Sequence, residues 1–131
     1  MKSDSIFTKI IKGEIPSHKV YEDENNIAFI PLHPTALAHV LVVPKLQIEQ
    51  FYQLPEENYL SLMRAVKKVA NRVDEVYKPF RVGLKIEGLD IDHAHVHVLA
   101  YDNHEQYTEV EDMNKEIDSL RLEEMAKRLA F

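Results

Sequence analysis

From His93 to Val98 the chain alternates residue by residue: His93, His95 and His97 take one parity, and Ala94, Val96 and Val98 the other. A period of two marks an extended strand whose successive side chains point to opposite faces. A helix would scatter the three rings around its circumference. The segment therefore requires a sheet with two unlike faces, one apolar and turned to a core, the other carrying three imidazoles. Same-face neighbours on such a strand sit about 6.5–7 Å apart, close enough for adjacent rings to converge on one small group.

The rest of the chain supplies the partners this strand needs. Ile6, Phe7, Ile10 and Ile11 recur at helical spacing, with Ser3, Asp4 or Ser5 as caps and Gly13 and Pro16 as the stop. Residues 20–22 and 27–30 read as strands joined by the polar turn Asp23-Glu24-Asn25-Asn26. Pro31 and Pro34 place a loop between them and a third strand, residues 39–43, which Pro44 ends. A long helix spans 55–77, where Tyr59, Leu62, Met63, Val66, Val69, Ala70, Val73, Val76 and Tyr77 form one apolar stripe. Glu56 and Glu57 suit the positive end of its dipole. A fourth strand, 81–87, turns at Gly88-Leu89-Asp90 into the histidine strand, 93–100. A polar, acidic linker covers 102–116, and a last helix covers 118–129 with Leu122, Met125, Ala126 and Leu129 on one face. The spacing predicts an α+β domain over residues 1–131: a mainly antiparallel five-stranded sheet, one long helix across it, and short terminal helices.

Composition narrows the partners. Of the 131 residues, 22 are Asp or Glu and 16 Lys or Arg, a net charge of −6, so a nucleic-acid polymer is not the expected ligand. One local pocket still suffices for a small phosphate. Without cysteine there is no disulfide framework and no thiolate zinc site, which suits a cytoplasmic setting. The opening Met1-Lys2-Ser3-Asp4-Ser5 lacks the apolar run of a signal peptide, and Val40-Leu41-Val42-Val43 is far too short to cross a membrane.

Three readings of the histidines stay open on residue types alone. They are a histidine-rich polar face, a metal site built from neutral imidazoles, or a catalytic site for a phosphorylated substrate with imidazole as nucleophile and proton carrier.

His93-Ala94-His95-Val96-His97-Val98-Leu99 resembles the histidine triad (HIT) motif. Other segments fit it in order: residues 5–16 followed by Lys19-Val20-Tyr21-Glu22-Asp23, then His39-Val40-Leu41-Val42-Val43-Pro44-Lys45, then Ile86-Glu87-Gly88. The resemblance covers residues 5 to about 101. It implies a nucleotidyl hydrolase or transferase acting on a small nucleotide, a phosphoramidate or dinucleoside polyphosphate, without a cofactor. It further implies that His95 attacks the α-phosphorus, His97 contacts phosphate oxygens and helps the leaving group, His93 positions the site, and His39 is an outlying fourth histidine. The positions it brings against substrate are His39, His97, Phe29 and Asp90. It also implies a homodimer joined through the long helix and a neighbouring strand edge; an open sheet edge needs such a cover.

The chain departs from the pattern at several positions. Ser5, Thr8 and Gln47 stand where some relatives hold a structural zinc, so no metal is expected. Pro31 stands where an acidic residue often binds the ribose, Ile86 or Lys85 where an Asn often contacts phosphate, and Asp90 where a Ser or Thr does. An Asp beside phosphate repels it. The alternative function is therefore a non-catalytic nucleotide-binding or regulatory module on the same fold. Tyr101, His104 and Tyr107, just past the triad, are expected as solvent-facing loop residues.

Overall fold

Five strands pair in the spatial order β1-β2-β3-β5-β4 in a computed structural model that describes residues 3–131. Met1 and Lys2, part of the opening read above, lie outside the described residues. The strands are β1 (His18–Glu22), β2 (Asn26–Ile30), β3 (Ala38–Pro44), β4 (Arg81–Lys85) and β5 (Val96–Tyr101), and every neighbouring pair is antiparallel. The helices are α1 (Ile6–Ile11), α2 (Glu56–Tyr77), α3 (His104–Thr108) and α4 (Ser119–Leu129). The α+β architecture with one long helix on an antiparallel sheet is thus the one the sequence predicts.

The two faces of the sheet bury different clusters. On one, Leu62, Ala65, Val66, Val69 and Val73 of α2 pack with Val40, Val42, Ala94, Val96 and Val98, and α4 extends this layer with Leu122, Met125, Ala126 and Leu129. Arg72 ties the two helices: its Nε donates to the Leu129 carbonyl at 2.9 Å and satisfies an orphan acceptor at the end of α4. On the other face, Phe7 of α1 packs with Ile27, Phe29, Leu41 and Val43. Because both faces are covered, all of β2 and β3 is buried, so these strands read as apolar runs rather than alternations.

The histidine strand is shorter than its alternation predicts. Regular pairing with β3 begins at Val42↔Val96, and His93, Ala94 and His95 lie ahead of β5. Pro44 has no N–H to continue the ladder, and the Ala94 N–H goes instead to the Ile48 carbonyl at 2.8 Å. The side-chain alternation nevertheless holds, with Ala94, Val96 and Val98 in the α2 layer. Likewise β4 ends at Lys85, not at residue 87, and residues 86–95 form a longer connection than a turn at 88–90. The stretch read as a linker contains α3, capped by Asn103, whose side chain accepts from the Gln106 N–H. Among the described residues, no helix is long and apolar enough to cross a membrane.

Candidate active site

β3 and β5 bring His39 and His97 together. His39 pairs with Leu99 and His97 with Leu41, so the two histidines are diagonal neighbours on the same face. The Thr35 N–H donates to His39 Nδ1 at 3.0 Å. The proton of a neutral His39 therefore sits on Nε2, which donates to His97 Nδ1 at 2.9 Å. By the same logic the proton of His97 sits on Nε2. Burial is the main cause holding His39 down to about 3 and His97 to about 4, with the charge of neighbouring histidines and Lys85 adding to it. Both rings are neutral at pH 7.

A second chain of bonds sets His93 and His95. His93 is fully buried. Its Nε2 donates to the Pro44 carbonyl at 2.7 Å, and its Nδ1 faces Ser5 Oγ at 2.6 Å. Burial pushes the His93 pKa down, opposed by the Pro44 carbonyl. The carbonyl of His93 lies 2.7 Å from His95 Nδ1. A carbonyl can only accept, so the neutral form of His95 carries its proton on Nδ1 and leaves a lone pair on Nε2. The edge of Phe7 packs on both rings, at centroid distances of 5.7 Å to His93 and 5.1 Å to His95. His95 and His97 stand 5.1 Å apart, centroid to centroid.

His39, His95 and His97 line one cleft of about 510 Å³. Phe29, Leu41, Ile6, Ile10 and Ile91 form its apolar wall, and Lys85, Glu87, Asp90, Glu109 and Glu111 its charged side. His93 is not among the lining residues; it sits behind His95. Phe29 is a buried wall residue, 5.6 Å from Phe7 in an edge contact. Asp90 is exposed at the rim, and Pro31 also lines the cleft. Tyr101 and Tyr107 lie outside it: they pack on each other at 4.8 Å, and the Tyr107 hydroxyl donates to the Leu84 carbonyl at 3.1 Å. Both are half-buried rather than solvent-facing, whereas His104 is exposed.

Sequence reasoning missed Glu111. Its carboxylate lies 3.9 Å from His39 Nε2, and burial pushes its pKa up. It comes from the acidic stretch read as a solvated linker. Val110 and Met113 of the same stretch border the cleft but stay largely exposed, so no local pattern marks Glu111. His39, His97 and Glu111 each place one potential ligand atom within 4.8 Å of the others. They do not suit a metal, because the Thr35 N–H holds the His39 proton on Nε2, which leaves no lone pair there to donate. The zinc positions of some relatives also converge, since Ser5, Thr8 and Gln47 meet around His93. They do not fit zinc either. Two hydroxyls and an amide are poor substitutes for thiolate and imidazole, and their polar atoms are taken up by hydrogen bonds to one another.

Comparison with known proteins agrees with this geometry. The model of the HIT domain matches residues 12–104. An uncharacterized HIT-like protein of Methanocaldococcus jannaschii is 35% identical over a match covering 72% of this chain and 76% of that one. The adenosine 5'-monophosphoramidase hnt1 of Schizosaccharomyces pombe is 34% identical, over 76% of each chain. A crystal structure of a Hit-like protein from Bartonella henselae superposes with a TM-score of 0.81 at 28% identity, over 98% of this chain and 96% of that one. A triad set on this sheet, a family match that takes in β1 to β5, and relatives about a third identical over most of their length place the chain in the HIT family.

Proposed function

We propose that the protein is a nucleotide hydrolase or transferase that cleaves a nucleotidyl phosphorus bond, of the phosphoramidate or dinucleoside polyphosphate type, through a covalent intermediate on His95. The observation that carries this reading is the pair of hydrogen-bond chains. One leaves a lone pair on His95 Nε2 and the other leaves an N–H on His97 Nε2, and both rings line the same cleft.

The chemistry follows from those two atoms. His95 Nε2 forms a bond to the α-phosphorus as the bond to the leaving group breaks, and the leaving group departs with the electron pair. The His97 N–H faces the oxygens and the departing atom, where charge grows, and stabilises it there; water supplies the proton that completes the leaving group. Water then attacks the phosphorus and gives a proton to the hydroxide left by the first step, the phosphorus–nitrogen bond breaks with its electron pair returning to His95 Nε2, and the imidazole is restored with release of a nucleoside monophosphate. The apolar wall around Phe29, Ile6 and Ile10 suits a planar base. The phosphoramidase name of the fission-yeast relative supports a phosphorus–nitrogen substrate.

The carboxylates of Glu87, Asp90, Glu109 and Glu111 around the cleft favour a second reading, a nucleotide-binding module without turnover, because they oppose a highly charged phosphate chain. Turnover of an adenosine phosphoramidate separates the two: release of adenosine monophosphate supports the hydrolase, and saturable binding without release supports the module. The same proposal carries a homodimer. β4 is an open edge strand, and Leu84 on it and Leu60 on α2 are exposed apolar side chains that pairing of two copies would cover.

A further inference from the structure

We infer that Ser5, Thr8 and Gln47 are positioning residues for the reaction, a hydrogen-bonded clasp that fixes His93 and, through the His93 carbonyl, aims the ring of His95. This rests on the reading of His95 as nucleophile.

The clasp has one consistent direction of donors. His93 Nε2–H is committed to the Pro44 carbonyl at 2.7 Å. Its Nδ1 must then accept, and Ser5 Oγ–H, at 2.6 Å, is the donor. Ser5 Oγ in turn accepts the Thr8 N–H at 3.0 Å, which caps α1. Capping uses only the lone pairs of Ser5, so its proton is free for His93. Thr8 Oγ1–H donates to Gln47 Oε1 at 2.6 Å. That oxygen also accepts the Ser5 N–H at 2.8 Å, and Gln47 Nε2 donates to the Ser3 carbonyl at 3.0 Å. Three chain segments far apart in sequence thereby close around one buried ring.

The consequence reaches the nucleophile through a single peptide unit. The plane between His93 and Ala94 carries the carbonyl that receives His95 Nδ1–H at 2.7 Å. The N–H of that same plane is bonded to Ile48 at 2.8 Å, one residue beyond Gln47. The clasp holds the His93 side chain on one side of this plane, and the Ile48 bond holds the other. If the plane tilts, His95 can place its proton on Nε2 instead, and a ring in that tautomer has no lone pair toward the cleft. Around metal-bound histidines, loss of the partner that fixes the tautomer costs about 10- to 100-fold in activity, and an effect of that order is expected here.

The test pairs kinetics with 15N spectra of the histidine rings, using the full chain and an adenosine phosphoramidate. In the parent, His93 should appear as the Nε2–H tautomer and His95 as the Nδ1–H tautomer. Ser5→Ala should lower kcat by about 10- to 100-fold with KM unchanged. It should move His93 Nδ1 to the position of an unbonded imine nitrogen and split His95 between tautomers. Ser5→Thr, which keeps the hydroxyl and the cap, should restore both readouts. If Ser5→Ala fails to fold, Thr8→Val keeps the shape and the capped N–H while removing the donor to Gln47, and should shift the same signals in the same direction. A folded variant with parental kcat overturns the proposal, and so does a fall in kcat with unchanged His93 and His95 spectra. If His95→Ala matches the parent in turnover, the nucleophile reading fails, while the spectra still report separately on the clasp.

Discussion

His39, buried, and His97, half-buried, are neutral rings whose proton positions are set by the Thr35 N–H at one end of their chain. Their folded pKa values, about 3 and about 4, lie below the ordinary 6.5, with burial the leading cause. Between those values and 6.5 the unfolded chain binds more protons than the folded one, so stability rises with pH across that window. The melting temperature should therefore fall as pH drops from about 6.5 toward 4, and less steeply below about 3, where both states are protonated. In His97→Ala, with one of the depressed histidines gone, the slope of a melting series in this window should be smaller than in the parent; an unchanged slope would mean the ring is not held neutral by the fold. Of the site residues, those on the alternating segment were legible, because a period of two fixes which rings share a face. Glu111 and the clasp around His93 were not. Ser5 and His93 meet only because the chain folds back over 88 positions, and no local pattern encodes that.

At the scale of elements, α2 was the easiest to read, since its stripe and the placement of Pro55, Glu56 and Glu57 agree with a helix from Glu56 to Tyr77. Leu62 on that stripe is fully buried, while Leu60 is 44% exposed. Leu62→Ala should destabilise the fold by about 2–5 kcal/mol in denaturant titration, from lost burial and the cavity left behind. Leu60→Ala should move the isolated domain by less than about 0.5 kcal/mol. Equal effects would place the core on the wrong face of the helix. The strand boundaries were harder. The alternation from His93 onward is real, but whether a residue belongs to the ladder depends on its partner strand, and Pro44 withdraws the donor that His93 to His95 would need. The helix α3 was missed because its sequence, His104 to Thr108, carries no apolar stripe; it is held by the Asn103 cap and the Tyr107 contact with β4.

At the scale of the whole molecule, the net charge of −6 is in keeping with the proposed small nucleotide ligand and not with a nucleic-acid polymer. The β4 edge and the exposed Leu60 and Leu84 are the grounds for the proposed two copies per particle. Native mass spectrometry reads the assembly and the metal content at once. It should give twice the chain mass without a metal increment, since neither the clasp nor the His39–His97 pair offers a suitable ligand set. A monomer at micromolar concentration would remove the dimer, and a stoichiometric zinc would contradict the hydrogen-bond assignment around His93.

In the proposed reaction His95 Nε2 carries the nucleotidyl group. Rapid acid-free quenching of the protein with an adenosine phosphoramidate, followed by intact-mass analysis, tests it directly. The parent should show a transient adenylyl increment whose phosphorus–nitrogen bond is labile in acid and survives base. His97→Ala should still form some of it when the leaving group is already good, and His95→Ala should show neither adduct nor turnover. Turnover by His95→Ala at the parental rate, or an adduct mapped to any other residue, would contradict the account.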